Sequence, residues 1–249
     1  MLKPFGWLLV VLSVSQSASA QTLSDRIKGT RDGRVRLSFA AKPGVCADGA
    51  NGISTGHSNH EWEPDCRPRL VRVALRLRDR RVQSVKTYVG GRWLPDTTAV
   101  DLGAVGAREA AEYFLALSER DGAGEVGGDA LLPSVLADSV TIWPSLVRVA
   151  RSPRVAHEIR GRAVFWLGQA AGAAAGQALD SIASDERGDR EVRKHAIFAL
   201  SQRSTNEGVP ALIRIARTNT DPELRKSALF WLGQSEDPRA VNLFEEILR

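Results

Sequence analysis

The residues best suited to chemistry lie together in one short segment, "HSNHE" (57–61). His57, His60 and Glu61 offer two imidazoles and a carboxylate, a ligand set that zinc or iron accepts. The segment shows no helical periodicity, and no further histidine lies nearby in the sequence. A polar loop is therefore the favoured interpretation, and a metal site formed by these three residues is the alternative.

A second segment, "GISTG" (52–56), matches the G-x-S-x-G pattern of a nucleophilic serine at a strand-to-helix turn. The flanking residues of Ser54 are typical of loops on both sides, so that turn is not expected here. The glycine-rich segment at 168–177 lacks the lysine and the preceding strand of a phosphate-binding loop. The sequence therefore predicts no catalytic residue and no cofactor, and we expect a protein that is not an enzyme.

The first twenty residues, "MLKPFGWLLVVLSVSQSASA", are typical of a secretory signal peptide. Lys3 precedes an apolar run over 7–14, and Ala18 and Ala20 fit the A-x-A cleavage pattern. The run is too short to span a bilayer comfortably. We predict cleavage after Ala20, a periplasmic or secreted location, and no transmembrane segment in the mature chain.

Cys46 and Cys66 are the only two cysteines of the chain. Export would bring both into an oxidising compartment, where an isolated pair is expected to form a disulfide. Such a bond would close a loop of about 20 residues and stabilise the fold by roughly 3 kcal/mol.

Apolar and polar residues alternate with a period of two across residues 34–94. The pattern is clearest in "RVRLSFA" (34–40) and "LVRVALRLR" (70–78), and "RVQSVKTYVGG" (81–91) follows after a short turn at Asp79–Arg80. This period predicts strands with at least one hairpin, forming a small β domain. A sheet of this size is marginal alone, so we expect support from the disulfide and from the rest of the chain.

The polar side of these strands is rich in arginine, and its members are Arg34, Arg36, Arg72, Arg76 and Arg78. One interpretation is a solvated face that discourages edge pairing. The other is a surface that binds an acidic protein, lipid head groups or polysaccharide. Nucleic acid is not the expected partner, because the net charge is only +5 and no aromatic residues interleave with the arginines.

One seven-residue phrase occurs three times, as "AVFWLGQ" (163–169), "AIFALSQ" (196–202) and "ALFWLGQ" (228–234). The similarity extends in both directions and predicts a two-helix unit of about 33 residues. Neither helix can bury its apolar stripe alone, but stacked units can. We expect the aromatic residues of the phrase to fill the seams between units, with ligand stacking as the alternative for the two tryptophans. These residues are Phe165, Trp166, Phe198, Phe230 and Trp231.

Three arginines, Arg160, Arg193 and Arg225, also align across the units. A glutamate precedes each of them by two residues, and we expect a structural ladder of charged pairs, with a basic binding ridge as the alternative.

The segment "DPELRKSALFWLGQSEDPRA" (221–240) resembles bacterial HEAT repeats, in particular the short phycobilin-lyase-like kind. The resemblance covers residues 128–249 and implies a helical solenoid. By analogy with the family it also implies protein binding, with a lyase-like chaperoning role as a further option.

These observations predict an α+β protein that is mainly α, a short HEAT-like solenoid preceded by a small disulfide-bonded β domain. The expected segments are a signal peptide (1–20), an N-terminal segment (21–33), the β domain (34–94), a connector (95–104), a capping helix (105–127) and the repeats (128–249). The expected function is a non-catalytic scaffold of the bacterial cell envelope that binds an envelope or extracellular protein of acidic character. The alternatives are an enzyme or enzyme accessory, and a binder of anionic surface polymers.

Overall fold

The computed structural model describes residues 21–45, 62–63, 69–120 and 124–249, so the predicted signal peptide lies outside the described residues. Sheet structure occupies the N-terminal part of the described chain and helices occupy the C-terminal part. The predicted α+β class with a helical C-terminal region is therefore confirmed. Within the described residues, no helix is both long and apolar enough to cross a membrane.

A four-stranded sheet forms in the order β4-β3-β1-β6. Its strands are β1 (Gly33–Ala40), β3 (Leu70–Arg78), β4 (Arg81–Val89) and β6 (Ala99–Ala104). β1 pairs antiparallel with β3, and β3 with β4, whereas β6 runs parallel to β1. Two short strands, β2 (Trp62–Glu63) and β5 (Arg92–Trp93), form a separate antiparallel pair.

The predicted alternation sets the two faces of the sheet. Val35, Leu37 and Phe39 of β1 are each at most 1% exposed and share one face with the aliphatic residues of β3. On that face the ring of Phe39 lies 6.3 Å from the ring of Phe114 on helix α2 (Ala107–Arg120). Burial on one face is what fixes the register, because a slip by one residue would expose every one of these side chains.

The turn between β3 and β4 consists of Asp79 and Arg80, as predicted, and both have positive φ, 49° and 59°. Hairpin turns of this kind normally use asparagine or glycine. Side chains other than glycine in this conformation cost of order 1 kcal/mol each. Two hydrogen bonds donated by backbone N–H groups hold the turn in place. The Arg80 N–H donates to the carbonyl of Arg31 at 2.8 Å, and the Asp79 N–H donates to Asp32 Oδ1 at 2.8 Å.

The connector predicted over 95–104 is wrong in part, because Ala99–Ala104 form the edge strand β6. β6 has no buried residue, and Val100 is 45% exposed. A strand that is open to water on both faces carries no alternating apolar signal, so the sequence pattern could not reveal it.

Helices follow in pairs, and those that contain the repeated phrase begin 33 and 32 residues apart, at His157, Arg190 and Pro222. The helices, besides α2, are α1 (Leu23–Lys28), α3 (Glu125–Asp129), α4 (Leu131–Leu136), α5 (Trp143–Arg151), α6 (His157–Gly168), α7 (Ala173–Ala183), α8 (Arg190–Ser201), α9 (Thr205–Thr218), α10 (Pro222–Gly233) and α11 (Pro238–Ile247). Helices α6, α8 and α10 pack successively in one layer, called here the phrase layer. Helices α5, α7, α9 and α11 form the second layer.

Carboxylates at helix N-termini link neighbouring repeats. Asp189 and Asp221 cap α8 and α10 by accepting hydrogen bonds from backbone N–H groups. Each also binds an arginine of the preceding phrase-layer helix: Arg160 of α6 lies 3.1 Å from Asp189, and Arg190 of α8 lies 2.7 Å from Asp221. The expected ladder of Arg160, Arg193 and Arg225 with the aligned glutamates is therefore wrong. Arg160 binds Asp189, whereas Arg193 donates to the Ala183 carbonyl and Asn219 Oδ1, and Arg225 donates to the carbonyls of Asn219 and Thr220. The aligned glutamates are exposed.

The sheet and the helices share one continuous hydrophobic core. α2 lies between them and contacts β1 on one side and α4 and α5 on the other. A β-bridge joins Ala41 to Ala137, and two backbone hydrogen bonds of 2.9 Å flank it, from Lys42 to Leu136 and from Asp138 to Ala40. The sheet is therefore supported by the helical part, as its small size requires.

Gly208 on α9 lies close against the backbone of α8. A Cβ atom added there would lie 2.3 Å from the carbonyl oxygen of Leu200, a backbone atom that cannot move aside easily. We predict that Gly208→Ala lowers the free energy of unfolding by about 1–3 kcal/mol, measured by urea denaturation. Gly233→Ala is the control, since its Cβ would meet only Phe244 at 3.8 Å. Equal stability of the two variants would contradict the packing described here.

Candidate interaction surfaces

Part of the predicted site lies outside the described residues. This holds for the proposed metal ligands His57, His60 and Glu61 and for the cysteines Cys46 and Cys66. Across the ranges that the structure does describe, no three side chains of His, Cys, Asp or Glu gather in a way that could hold a metal ion. Two surfaces remain to be considered, the arginine-rich sheet face and the repeat aromatics.

The predicted arginine face is divided by the structure. Arg36 is only 4% exposed and Arg72 is half-buried, whereas Arg76 and Arg78 are exposed. Arg34 is intermediate, and it lies 2.8 Å from the carboxylate of Asp96. The prediction that all five arginines lie exposed on one face is therefore wrong for Arg36 and Arg72.

Arg36 is buried because the segment after β5 folds over it. Its guanidinium lies 4.8 Å from the centre of the Trp93 ring and donates a hydrogen bond of 2.9 Å to the carbonyl of Leu94. The carboxylate of Asp96 balances its charge at 3.4 Å. A buried arginine is tolerated only with such partners, so Arg36 holds the segment in place and is not open to a ligand.

Arg72 has a similar structural role. Its Nε donates to the carbonyls of Gly90 at 3.1 Å and Gly91 at 2.8 Å, and its guanidinium lies 5.9 Å from the Trp93 ring. Burial lowers the pKa of Arg72, and the nearby carboxylate of Asp101 opposes that shift.

A second small core of aromatic residues surrounds these two arginines. The Tyr88 ring lies 5.3 Å from that of Trp62 and 5.6 Å from that of Trp93, and Trp62 Nε1 donates to the Gly90 carbonyl at 3.0 Å. Gly91 must be glycine, because its φ is +63° and a Cβ would lie 2.1 Å from the carbonyl oxygen of Glu63. The tryptophans are the sequence signal that could have revealed this cluster.

What remains open on this face is a hollow of about 360 Å³, called here the sheet hollow. Arg34 and Arg76 are paired across β1 and β3, and Ser84 is paired with Arg76 across β3 and β4, so all three share one face. Lys86 completes the polar lining and Ala74 lies between the charged groups. The sheet hollow therefore keeps a cationic and polar lining, in a smaller area than the sequence suggested.

The repeat aromatics behave in two ways. Phe198 of α8 and Trp231 of α10 meet across the seam with ring centres 5.0 Å apart, and both are half-buried, as is Trp166. Phe165 and Phe230 are instead 45% and 57% exposed, so the prediction that they fill seams is wrong.

Helical phase explains the exposure of the two phenylalanines. In α10 the buried residues are Leu224, Ala228 and Leu232, which recur every four positions. Phe230 lies two residues after Ala228 and two residues before Leu232. In a helix of 3.6 residues per turn, this offset turns its side chain about 200° away from theirs, to the opposite side of the helix. Phe165 has the same relation to Ala163 and Leu167 in α6.

All five aromatic residues of the repeated phrase keep part of their surface in water, and they are called here the aromatic row. It consists of Phe165, Trp166, Phe198, Phe230 and Trp231. Within it Phe165 meets Trp166 at 5.1 Å and Phe230 meets Trp231 at 5.0 Å, both edge to face. Large apolar side chains grouped on a surface are typical of a place where another molecule binds.

Comparison with known proteins supports the repeat architecture. Residues 144–230 and 182–249 match the family model for HEAT repeats. The match supports the HEAT-like helical architecture of the C-terminal region that the resemblance implied. Neither the curated proteins nor the solved structures contain a match to the chain.

Asp96 gives a testable consequence of the arginine cluster. Hydrogen bonds from the Thr98 hydroxyl and backbone N–H, aided by Arg34 and Arg36, hold the pKa of this carboxyl below its usual 3.8. Because the folded-state pKa lies below the usual 3.8, the ionised carboxyl stabilises the fold above pH 3.8. This stabilisation is lost as the pH falls from 3.8 toward the folded-state pKa.

We therefore predict that Asp96→Asn is less stable than the wild type at about pH 5 and loses less stability on acidification to about pH 2.5. Thermal unfolding at the two pH values measures this. Glu112→Gln, at an exposed position of α2, serves as the control and is expected to follow the wild type. Parallel pH profiles for wild type and Asp96→Asn would refute the role given to Asp96.

Proposed function

We propose that this chain, whose residues 144–249 carry HEAT repeats, is a non-catalytic module that binds another protein. The observation that carries the proposal is the partly exposed aromatic row of the phrase layer. HEAT repeats often mediate protein interactions, and solenoids present extended surfaces at fixed spacing.

The energetics favour a partner that covers the aromatic row. Phe165 and Phe230 leave about half of their surface in water, so burying each would contribute about 1 kcal/mol. Aromatic side chains are enriched among the residues that dominate protein interfaces. The half-buried Trp166, Phe198 and Trp231 are held by their neighbours, so a partner would meet rings that are already ordered.

The partner that we propose has an acidic character and lies in the bacterial cell envelope or outside the cell. The exposed Arg76 and Arg78 on the sheet and the net charge of +5 support the acidic character. The signal-peptide pattern at 1–20 supports export.

A second candidate function is binding of an anionic surface polymer. The sheet hollow favours it, because Arg34, Arg76 and Lys86 line one concavity on the polar face of the sheet. Here the arginines would act together with the Ser84 hydroxyl as donors to sulfate, phosphate or carboxylate groups.

Substituting the exposed phenylalanines tests the proposal. We expect Phe165→Ser/Phe230→Ser to fold normally, because neither ring is buried, and to capture much less of the partner from an envelope fraction than the wild type does. Quantitative mass spectrometry of the captured proteins provides the measurement.

Val241→Ser is the matched control, since Val241 is 51% exposed but lies on α11 in the second layer. It is expected to capture the same proteins as the wild type. If the double phenylalanine variant captures them equally well, the aromatic row is not the binding surface.

Export also underlies the proposed disulfide between Cys46 and Cys66. We expect no free thiol when the mature protein is titrated under denaturing, non-reducing conditions, and two thiols after reduction. Two free thiols before reduction would contradict both the bond and an oxidising compartment.

A further inference from the structure

A separate basic concavity of about 410 Å³ lies between α1, the β3–β4 turn and α2. Four cations line it: Lys28 from α1, Arg80 from the turn, Arg81 from the start of β4, and Arg120 from the end of α2. Ile27 and Tyr113 add an apolar and an aromatic wall. We call it the turn pocket. It involves neither the sheet hollow nor the aromatic row.

The charge in the turn pocket is not balanced by its lining. None of the described lining residues is an aspartate or glutamate. Lys28, Arg80 and Arg81 form no ion pair with any residue in the described ranges. Like charges gathered around one concavity repel each other and produce a positive potential that a bound anion would relieve.

The backbone adds an independent observation. Arg80 has a φ of 59°, a conformation that glycine or asparagine adopts at lower energy, yet the turn carries arginine. The Arg80 backbone N–H donates to the carbonyl of Arg31 and holds the turn, and Arg80 and the adjacent Arg81 both line the pocket. Strain of this kind is concentrated at functional sites.

We propose that the turn pocket binds a small ligand that carries phosphate groups. The planar guanidinium groups of Arg80, Arg81 and Arg120 match phosphate oxygens with paired hydrogen bonds, and Lys28 adds a point charge. A volume near 410 Å³ lies within the range of small-molecule sites. The partly exposed ring of Tyr113 offers a surface for an apolar or ring portion next to the phosphates.

Isothermal titration calorimetry of the full mature chain with inorganic pyrophosphate at low salt tests the proposal. The wild type is expected to bind saturably, and Lys28→Gln/Arg81→Gln is expected to bind at least about tenfold more weakly, since it loses two charged donors. Both positions are exposed, so the variant should unfold at the wild-type temperature. Arg108→Gln is the control, because Arg108 is exposed on α2 but does not line the turn pocket.

Arg80→Gly provides a readout that a purely structural turn would not give. Glycine relieves the positive φ, so the variant is expected to unfold at a higher temperature while its pyrophosphate affinity falls. Absence of saturable binding by the wild type would overturn the proposal. So would equal binding by the wild type and both pocket variants, or equal affinity for citrate, which offers comparable charge without phosphate.

Discussion

The structure depends on one small side chain at the same position in each phrase-layer helix. Ala163, Ala196 and Ala228 are fully buried, and each lets its helix approach its neighbours closely. A larger residue would separate the helices and leave their leucines without partners. Burial of this position fixes the rotation of each phrase-layer helix about its axis. It thereby decides which side chains enter the seams and which are left outside, the exposed Phe165 and Phe230 among them.

Charged groups then fix the repeats relative to one another. The capping residue Asp189 uses one carboxylate for two purposes: it accepts from the first N–H groups of α8 and binds Arg160 of the preceding phrase-layer helix. Arg203, in the turn between α8 and α9, also links neighbouring repeats. Glu207 holds its side chain, which donates to the carbonyls of Ala170 and Gly172 in the turn between α6 and α7. Polar contacts of this kind contribute little individually, but they define the register of neighbouring units.

The sequence predicted those features that depend on burial. One-sided burial in β1 and β3 produces a period of two, and stacking of equal units produces the repeated phrase. It did not predict β6, which is exposed on both faces, nor the burial of Arg36, since the partners of that arginine, Trp93 and Asp96, lie far away in the sequence. The exposure of Phe230 was predictable from its two-residue offset to Ala228, but the abundance of aromatic residues favoured a seam instead.

The central claim is that the phrase layer, through its aromatic row, is the surface that meets a protein partner. Site-specific photo-crosslinking in the producing cells tests this most directly. A photoreactive phenylalanine analogue at position 165 is predicted to give a discrete crosslinked product of higher mass, and the same analogue at position 241 in the second layer is predicted to give none. Crosslinking from position 241 alone, or from neither position, would contradict the account.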